Sequence, residues 1–329
     1  MKKRALITGV TGQDGSYLAE YLIGQDYDVY GLYRRVSTGN NFNNIKLIKE
    51  HPKLHLVPGD ICDHAQMQSL MRQIQPTELY LLAAMSHVGQ SFKEPIQTFR
   101  VDAEATIGAL EAVRQESPMT RVYFAATSEL FGGMKCPESG YNEESPIDPR
   151  SPYAVAKAAS FYAVRNYREA YDLHCCSGIL FNHESPRRGL DFAPRKITKG
   201  VASVKLGLQD RLDMGNMDAY RDIGHSKDYV RAMHLMLQED KPQDFVIATG
   251  ESVSIREMLA YVCELAELKY EDVYRMDKRY MRPSDVPYLK GDGSKAEAIL
   301  DWTPSYSWRD LLREMYLSDL TALQLGCYT

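Results

Sequence analysis

Apolar runs of strand length alternate with helical periodicity through the first half of the chain. Arg4–Thr8 is short and apolar and ends at a glycine. Ser16–Ile23 then carries Tyr17, Leu18, Tyr21 and Leu22 at helical spacing, and Asp28–Tyr33 returns to strand character. After a polar stretch at Ser37–Asn44 the pattern repeats with strand Leu54–Val57. Next comes a helix with Met67, Leu70, Met71 and Ile74 at i, i+3, i+4 and i+7, stopped by Pro76, and a strand at Glu78–Leu82. A helix at about Thr98–Gln115, strand Arg121–Ala126, helix Tyr153–Ala170 and strand Cys175–Leu180 extend the series. Repeated βα alternation with right-handed crossovers predicts an α/β fold, a Rossmann-type doubly wound parallel sheet.

From Asn182 the regularity breaks. A loop with Pro186 and Gly189, a helix near Pro194–Leu206 and short elements between Asp213 and Asp222 predict a smaller C-terminal lobe. Val230–Gln238 reads as another helix and Asp244–Ala248 as a strand that returns to the sheet. The expected division is therefore a dinucleotide-binding domain over residues 1–182 with a returning segment 226–250, and a substrate lobe over 183–225 and 251–329. Two late helices carry the spacing of capping boxes, Ser254 with Glu257 and Ser294 with Glu297.

Composition narrows the function. The 329 residues are 44% hydrophobic and 25% charged, ordinary globular usage, and 39 Lys+Arg against 44 Asp+Glu give a net charge of −5. That balance lacks the basic excess of a nucleic-acid binder. No apolar run reaches the length of a membrane span. Six scattered cysteines without a Cys-x-x-Cys pair read as reduced thiols of a cytoplasmic protein, with no metal site.

The first strand leads into Thr8-Gly9-Val10-Thr11-Gly12-Gln13-Asp14-Gly15, a G-x-x-G-x-x-G turn directly before a helix. Gly9 suits the tight turn, Gly12 the close approach of backbone amides to a pyrophosphate, and Gly15 the packing of helix on strand. An NAD site would end the second strand with an acidic residue. Here Arg34-Arg35 follow it, and two guanidiniums suit the 2′-phosphate of NADP. Asp60, just past the third strand, is placed to meet the adenine, and Leu82-Ala83-Ala84 would let a cofactor lie against the backbone.

Tyr153 and Lys157, four residues apart near a helix start, share one face. An ammonium beside the phenol is expected to lower its pKa and ready it for proton transfer during hydride transfer. Thr127-Ser128-Glu129 follow the fifth strand at the carboxyl edge, where such sheets bind ligands. A hydroxyl, tyrosine and lysine suffice for a simple alcohol dehydrogenase. Glu129 adds the capacity for a second proton transfer, at carbon.

Taken together these residues resemble the extended short-chain dehydrogenase/reductases, and among them the GDP-mannose 4,6-dehydratase family. The matching stretches are the glycine turn, Arg34-Arg35, Ala126–Gly132, Pro149–Tyr153, the specific run Gly178–Gly189, Arg221-Asp222 with Gly224-His225, Phe245–Gly250, and Arg282-Pro283. The resemblance implies an internal redox cycle on a GDP-sugar. Tyr153, supported by Lys157, would take the C4 hydroxyl proton while hydride passes to NADP⁺, and Thr127 would hydrogen-bond the C4 oxygen. Glu129 would remove the acidified C5 proton and help water leave C6, after which the hydride returns to C6. It further implies cofactor contacts from Gly9, Thr11, Gly12, Gln13, Asp14, Gly15, Ser37, Asp60, Ile61, Leu82, Ala83, Ala84, Ser86, Tyr153, Lys157, His183 and Arg188. Substrate contacts would come from Ser86, Asn182, Lys196, Arg221, Arg282 and Asp285, and the Ser37–Asn44 stretch would reach a neighbouring subunit in a homotetramer.

Several positions depart from the family pattern. Met85 stands for a glutamine, Ile147-Asp148 for an aromatic pair, Ile223 for a tryptophan and Asp285 for a glutamate. A GDP-manno-heptose therefore remains an alternative sugar. Nucleotide-sugar 4-epimerases and 4-keto reductases share the tyrosine and lysine, but Glu129 speaks against both. A cofactor-binding scaffold without turnover fits poorly with the presence of Thr127, Glu129, Tyr153 and Lys157 together.

Overall fold

The computed structural model describes residues 3–37, 42–280 and 284–326, so Arg282, Cys327 and part of the Ser37–Asn44 stretch lie outside the described residues. The first half runs β1 (Arg4–Thr8), α1 (Gln13–Gly24), β2 (Asp28–Tyr33), β3 (Leu54–Pro58), α2 (His64–Ile74), β4 (Glu78–Leu81), α3 (Val88–Ser91), α4 (Pro95–Phe99), α5 (Ala105–Glu116), β5 (Arg121–Thr127), α6 (Pro152–Tyr171) and β6 (Cys175–Leu180). The second half runs β7 (Asn182–Glu184), α7 (Ala193–Lys205), β8 (Leu212–Met214), β9 (Tyr220–His225), α8 (Ser226–Gln238), β10 (Phe245–Ile247), β11 (Ser252–Ser254), α9 (Ile255–Leu265), α10 (Tyr270–Val273), β12 (Tyr274–Met276), β13 (Tyr288–Leu289), α11 (Ser294–Leu300) and α12 (Trp308–Gln324).

Seven strands form a parallel sheet in the order β3-β2-β1-β4-β5-β6-β10. Both faces are covered, as a parallel sheet requires, and neighbouring strand residues serve opposite faces. Leu6, Leu79, Leu81 and Phe124 pack with Met67, Leu70 and Met71 of α2 and with α5 and α6. Ile7, Tyr80 and Tyr123 pack with Leu18 and Leu22 of α1 and Met233 and Met236 of α8. Each such fully buried side chain contributes about 1.5–3 kcal/mol relative to exposure. The lobe has its own core, with Val201 of α7, Leu259 of α9 and Leu312 of α12 around Ile223 and Val253. Its strands are short: β9 pairs with β7, β11 and β13, and β8 pairs with β12.

Two sequence expectations change. The single helix read over Thr98–Gln115 is α4 and α5 joined by a π-helical turn at Arg100–Glu104. The wider turn inserts a residue without disturbing the apolar pattern on either side. The Ser254–Glu257 capping box forms with both reciprocal bonds. Ser294 does not cap: it is already the first residue of α11, Gly293 is the cap, and the Ser294 amide donates instead to Asp292 Oδ1 at 3.0 Å.

Candidate active site

The turn after β1 is built by close backbone approach. Gly9 has φ 74°, the left-handed region, and a Cβ there would lie 3.1 Å from the Ala83 backbone. A Cβ on Gly15 would meet the Gly9 carbonyl at 2.3 Å. The Thr8 hydroxyl accepts the Leu82 and Ala83 amides at 3.0 and 3.1 Å, drawing the ends of β1 and β4 together. Gly12 is the N-cap of α1 in extended conformation and offers no side chain, which leaves the positive end of the helix open to an anion. Asn44 Nδ2 folds back to the Thr11 carbonyl at 3.0 Å. Arg34, Arg35 and Ser37 are exposed beyond the end of β2. Asp60 is exposed and accepts the Cys62 amide at 2.9 Å, while Ile61 is buried. Asp60 lines a cleft of about 460 Å³ with Asp63, His64 and Arg100.

A buried network then ties this turn to the lobe. Gln13 Nε2 donates to the His183 carbonyl at 3.0 Å and its Oε1 accepts from Ser185 Oγ at 2.8 Å. His183 Nε2 meets Asp14 Oδ2 at 2.8 Å, its Nδ1 meets the Phe181 carbonyl at 2.8 Å, and its ring stacks on Tyr229. Burial alone would raise the Asp14 carboxyl, but His183 and Arg188 hold it below its ordinary value. Burial likewise opposes the His183 imidazolium, and Asp14 overcomes it, raising His183. Both ring nitrogens thus have protein partners. Arg188 forms an ion pair with buried Glu184 at 3.1 Å and stacks on Phe192.

At the carboxyl edge of β5, Thr127, Glu129, Tyr153 and Lys157 come together, all less than a tenth exposed. Thr127 caps the 3₁₀ turn Ser128–Phe131 by accepting the Glu129 amide at 3.2 Å, and its side chain lies near enough to the Tyr153 phenol to act on it. Ser151 caps α6 through the Ala154 amide and Pro152 opens the helix, which fixes where Tyr153 enters. Lys157 Nζ donates to the Ala125 carbonyl at 3.0 Å and lies 5.9 Å from the Tyr153 ring centroid. The expected lowering of the phenol is not what this environment gives. Burial pushes Tyr153 up, Asp102 and Glu129 add to that, and Thr127 and Arg188 pull the other way. Burial also lowers Lys157, against the opposing charge of Asp102. Sequence reasoning missed Asp102, whose position depends on the π-helical turn.

The expected substrate residues arrive from separate elements. Asn182 opens β7 with its Oδ1 buried and, among the described residues, without a hydrogen-bond partner. Lys196 of α7 sits 3.3 Å over the Tyr280 ring. Arg221 and Asp285 meet each other at 3.3 Å, and Arg221 also donates to the Val286 carbonyl at 2.8 Å. Ser86 is exposed just after β4. Of the departing positions, Ile223 is packed in the lobe core and Asp148 pairs with Arg150 at 2.9 Å.

Comparison with known proteins agrees with this architecture. The family profile described as GDP-mannose 4,6 dehydratase matches residues 6–315. GDP-mannose 4,6-dehydratase of Vibrio cholerae is 44% identical, covering 98% of this chain and 95% of its own, and GDP-mannose 4,6 dehydratase 1 of Arabidopsis thaliana is 45% identical, covering 97% and 90%. Among solved structures, the fold is shared with dTDP-glucose 4,6-dehydratase from Bacillus anthracis in complex with NAD, at TM-score 0.85, 20% identity and 98% coverage of both chains. RMD from Pseudomonas aeruginosa complexed with NADPH aligns at TM-score 0.80 and 20% identity over 97% of this chain and 99% of its own. A glycine-cradled helix start, a buried Thr–Glu–Tyr–Lys group and full-length relatives above 40% identity lead to one assignment: the chain belongs to the GDP-mannose 4,6-dehydratase family.

Proposed function

We propose that the protein is a hydro-lyase that uses NADP to convert a GDP-sugar, GDP-D-mannose or a close relative, into the GDP-4-keto-6-deoxy sugar. The observation that carries this reading is the convergence of Thr127, Glu129, Tyr153 and Lys157 at one buried edge, with Thr127 capping the turn that carries Glu129. Tyr153 takes the C4 hydroxyl proton and Thr127 hydrogen-bonds the C4 oxygen. Glu129 removes the C5 proton, returns it as an acid to the departing C6 hydroxyl, and so releases water. Bound NADP⁺ would accept hydride from C4 and return it to C6, while C5 takes a proton from solvent and Tyr153 gives up its own, with no net redox change.

Residues 1–182 with 226–250 hold the cofactor, and 183–225 with 251–329 hold the nucleotide sugar. Gly9 and Gly12 leave the space a Cβ would fill, and the exposed Arg34 and Arg35 suit the 2′-phosphate. Asn182, Lys196, Arg221 and Asp285 face the task of binding the GDP-sugar, with Arg282 beside them in sequence. The protein works in the cytoplasm as a homotetramer. Support comes from the free thiols and from exposed Ile96, Phe99, Ile107, Val155 and Tyr162 on α4, α5 and α6. Light scattering with NADP present should give four times the chain mass.

The decisive test incubates the enzyme with NADP⁺ and a panel of GDP-sugars, GDP-D-mannose and a GDP-manno-heptose included, and weighs the products. A product lighter by one water, without net NADPH, is expected. An isomer of unchanged mass, or stoichiometric NADPH, would return the epimerase or reductase reading.

A further inference from the structure

Asp102 lies in the π-helical turn between α4 and α5, 1% exposed. One carboxylate oxygen, Oδ1, accepts the Met85 amide at 2.7 Å; the other, Oδ2, is buried without a hydrogen-bond partner among the described residues. A carboxylate oxygen stripped of water and left unbonded is costly unless an opposite charge compensates it. The compensating charge is on α6. Lys157 is 2% exposed, spends one N–H on the Ala125 carbonyl, and otherwise faces the Phe124 ring at 4.9 Å. Among the described residues, Lys157 is the cation whose charge acts on Asp102, and Asp102 the anion whose charge acts on Lys157.

Backbone geometry holds the two together. Ser160 Oγ donates to the Asp102 carbonyl at 2.6 Å, and Ser160 sits three residues past Lys157, on the face that also carries Tyr153. The extra residue of the π turn aims Asp102 at that face. We propose, resting on the dehydratase reading for its part in turnover, that Asp102 is a positioning residue: the buried counter-ion that keeps Lys157 an ammonium, oriented beside Tyr153. Through Met85 the same carboxylate fixes the chain leaving β4. The charged groups around the unit are few. Asp102 faces Lys157, and Tyr153 feels Asp102, Glu129 from the turn after β5 and Arg188 from the loop after β7.

The test is nuclear magnetic resonance of the full chain with ¹³Cε-labelled lysine, the Lys157 signal being the one lost in Lys157→Met. Asp102→Asn keeps the shape and an acceptor for Met85 but removes the charge. Its Lys157 should titrate at least about one pH unit lower than in wild type, a tenfold change in acid dissociation. Should Asp102→Asn fail to fold, Lys157→Met, which retains Asp102, supplies the reciprocal reading: the ¹³Cγ signal of Asp102 should titrate at higher pH than in wild type. Neither measurement needs a substrate, so both stand even if GDP-mannose is not turned over. In turnover, Asp102→Asn should lower kcat about tenfold with KM for the GDP-sugar within about twofold, and move the alkaline limb of kcat to lower pH. Added to Lys157→Met it should cost nothing further. An unchanged Lys157 titration in folded Asp102→Asn, or losses that add in the double variant, would overturn the proposal.

Discussion

Lys157 at the edge of β5 donates to a backbone carbonyl at 3.0 Å and lies over an aromatic ring, whereas three lobe arginines meet carboxylates directly. Arg221 meets Asp285 at 3.3 Å, Arg195 meets Asp319 at 2.7 Å and Arg256 meets Asp218 at 2.7 Å. The sheet edge therefore holds this lysine in a dry setting, where small displacements of the proposed proton-transfer group would matter. Arg221, Arg195 and Arg256 are neutralised, and an anionic ligand at Arg221 must compete with a resident carboxylate. On the proposed function, chemistry falls to the edge and recognition to the lobe. Changes at the edge should fall on kcat, and changes in the lobe on KM.

The largest effect is expected at the edge. Tyr153→Phe removes the hydroxyl that exchanges the C4 proton. It should abolish both product and transient NADPH, a loss at or beyond the upper end of the ~10²–10⁴ range for a general acid or base. Glu129→Gln should fall within that range but behave differently, forming enzyme-bound NADPH and 4-keto sugar with little 6-deoxy product. With wild-type enzyme, deuterium at C4 should reappear at C6 and solvent deuterium should enter C5. Near-normal product from Glu129→Gln, or C4 deuterium lost to solvent, would break the assignment of the edge to elimination.

The two regions were also unequally legible in the sequence. Gly9, Gly12, Gly15, Tyr153 and Lys157 sit within single βα or helical segments, so local spacing carries their geometry, and the parallel sheet follows from the alternation. The lobe is assembled from β7, β9, β11 and β13, two to six residues each and far apart in the chain. Strands that short have no periodicity to read. The pairing of Arg221 with Asp285, sixty-four positions away, had no local signal. Nor had the pairing of Asp14 with His183, two residues expected to face the cofactor, which meet each other at 2.8 Å. Asp102 was hidden for another reason: a π turn leaves the flanking apolar pattern intact while changing where its own side chains point.

Substitutions at the rim of each region sharpen the contrast at lower amplitude. Arg35→Ala should weaken NADP by about 1–3 kcal/mol in a binding titration while leaving NAD nearly unchanged, because only the 2′-phosphate differs. Equal loss for both would detach Arg35 from cofactor choice. Arg221→Lys replaces a planar fork by a point charge that cannot keep both the Val286 carbonyl and Asp285. It should raise KM for the GDP-sugar about tenfold, near the worth of one charge-assisted hydrogen bond, with kcat within about threefold. A fall confined to kcat would erase the distinction between the regions.

The smallest effect lies on the seam, where Asp14 of α1 meets His183 of β7. His183 is raised above its ordinary 6.5 by Asp14 against the opposing effect of burial. Asp14 is held below 3.8 by His183 and Arg188, although burial works to raise it. A group raised in the folded state stabilises fully below its unfolded value and loses that contribution as pH climbs through the folded one. A lowered carboxyl stabilises above its unfolded value and loses that as pH falls through the folded one. The pair is therefore at full strength between pH 3.8 and 6.5, and the His183 part fades at higher pH. His183→Asn removes the titrating ring but leaves a polar side chain between Asp14 and the Phe181 carbonyl. Its melting temperature should fall furthest below wild type near the acid side of neutrality, and the gap should narrow as pH rises toward 9. A gap that is constant with pH would mean that His183 joins the two regions by packing on Tyr229 and neutral hydrogen bonds alone, and one that widens with pH would mean that the ring is uncharged in the folded protein.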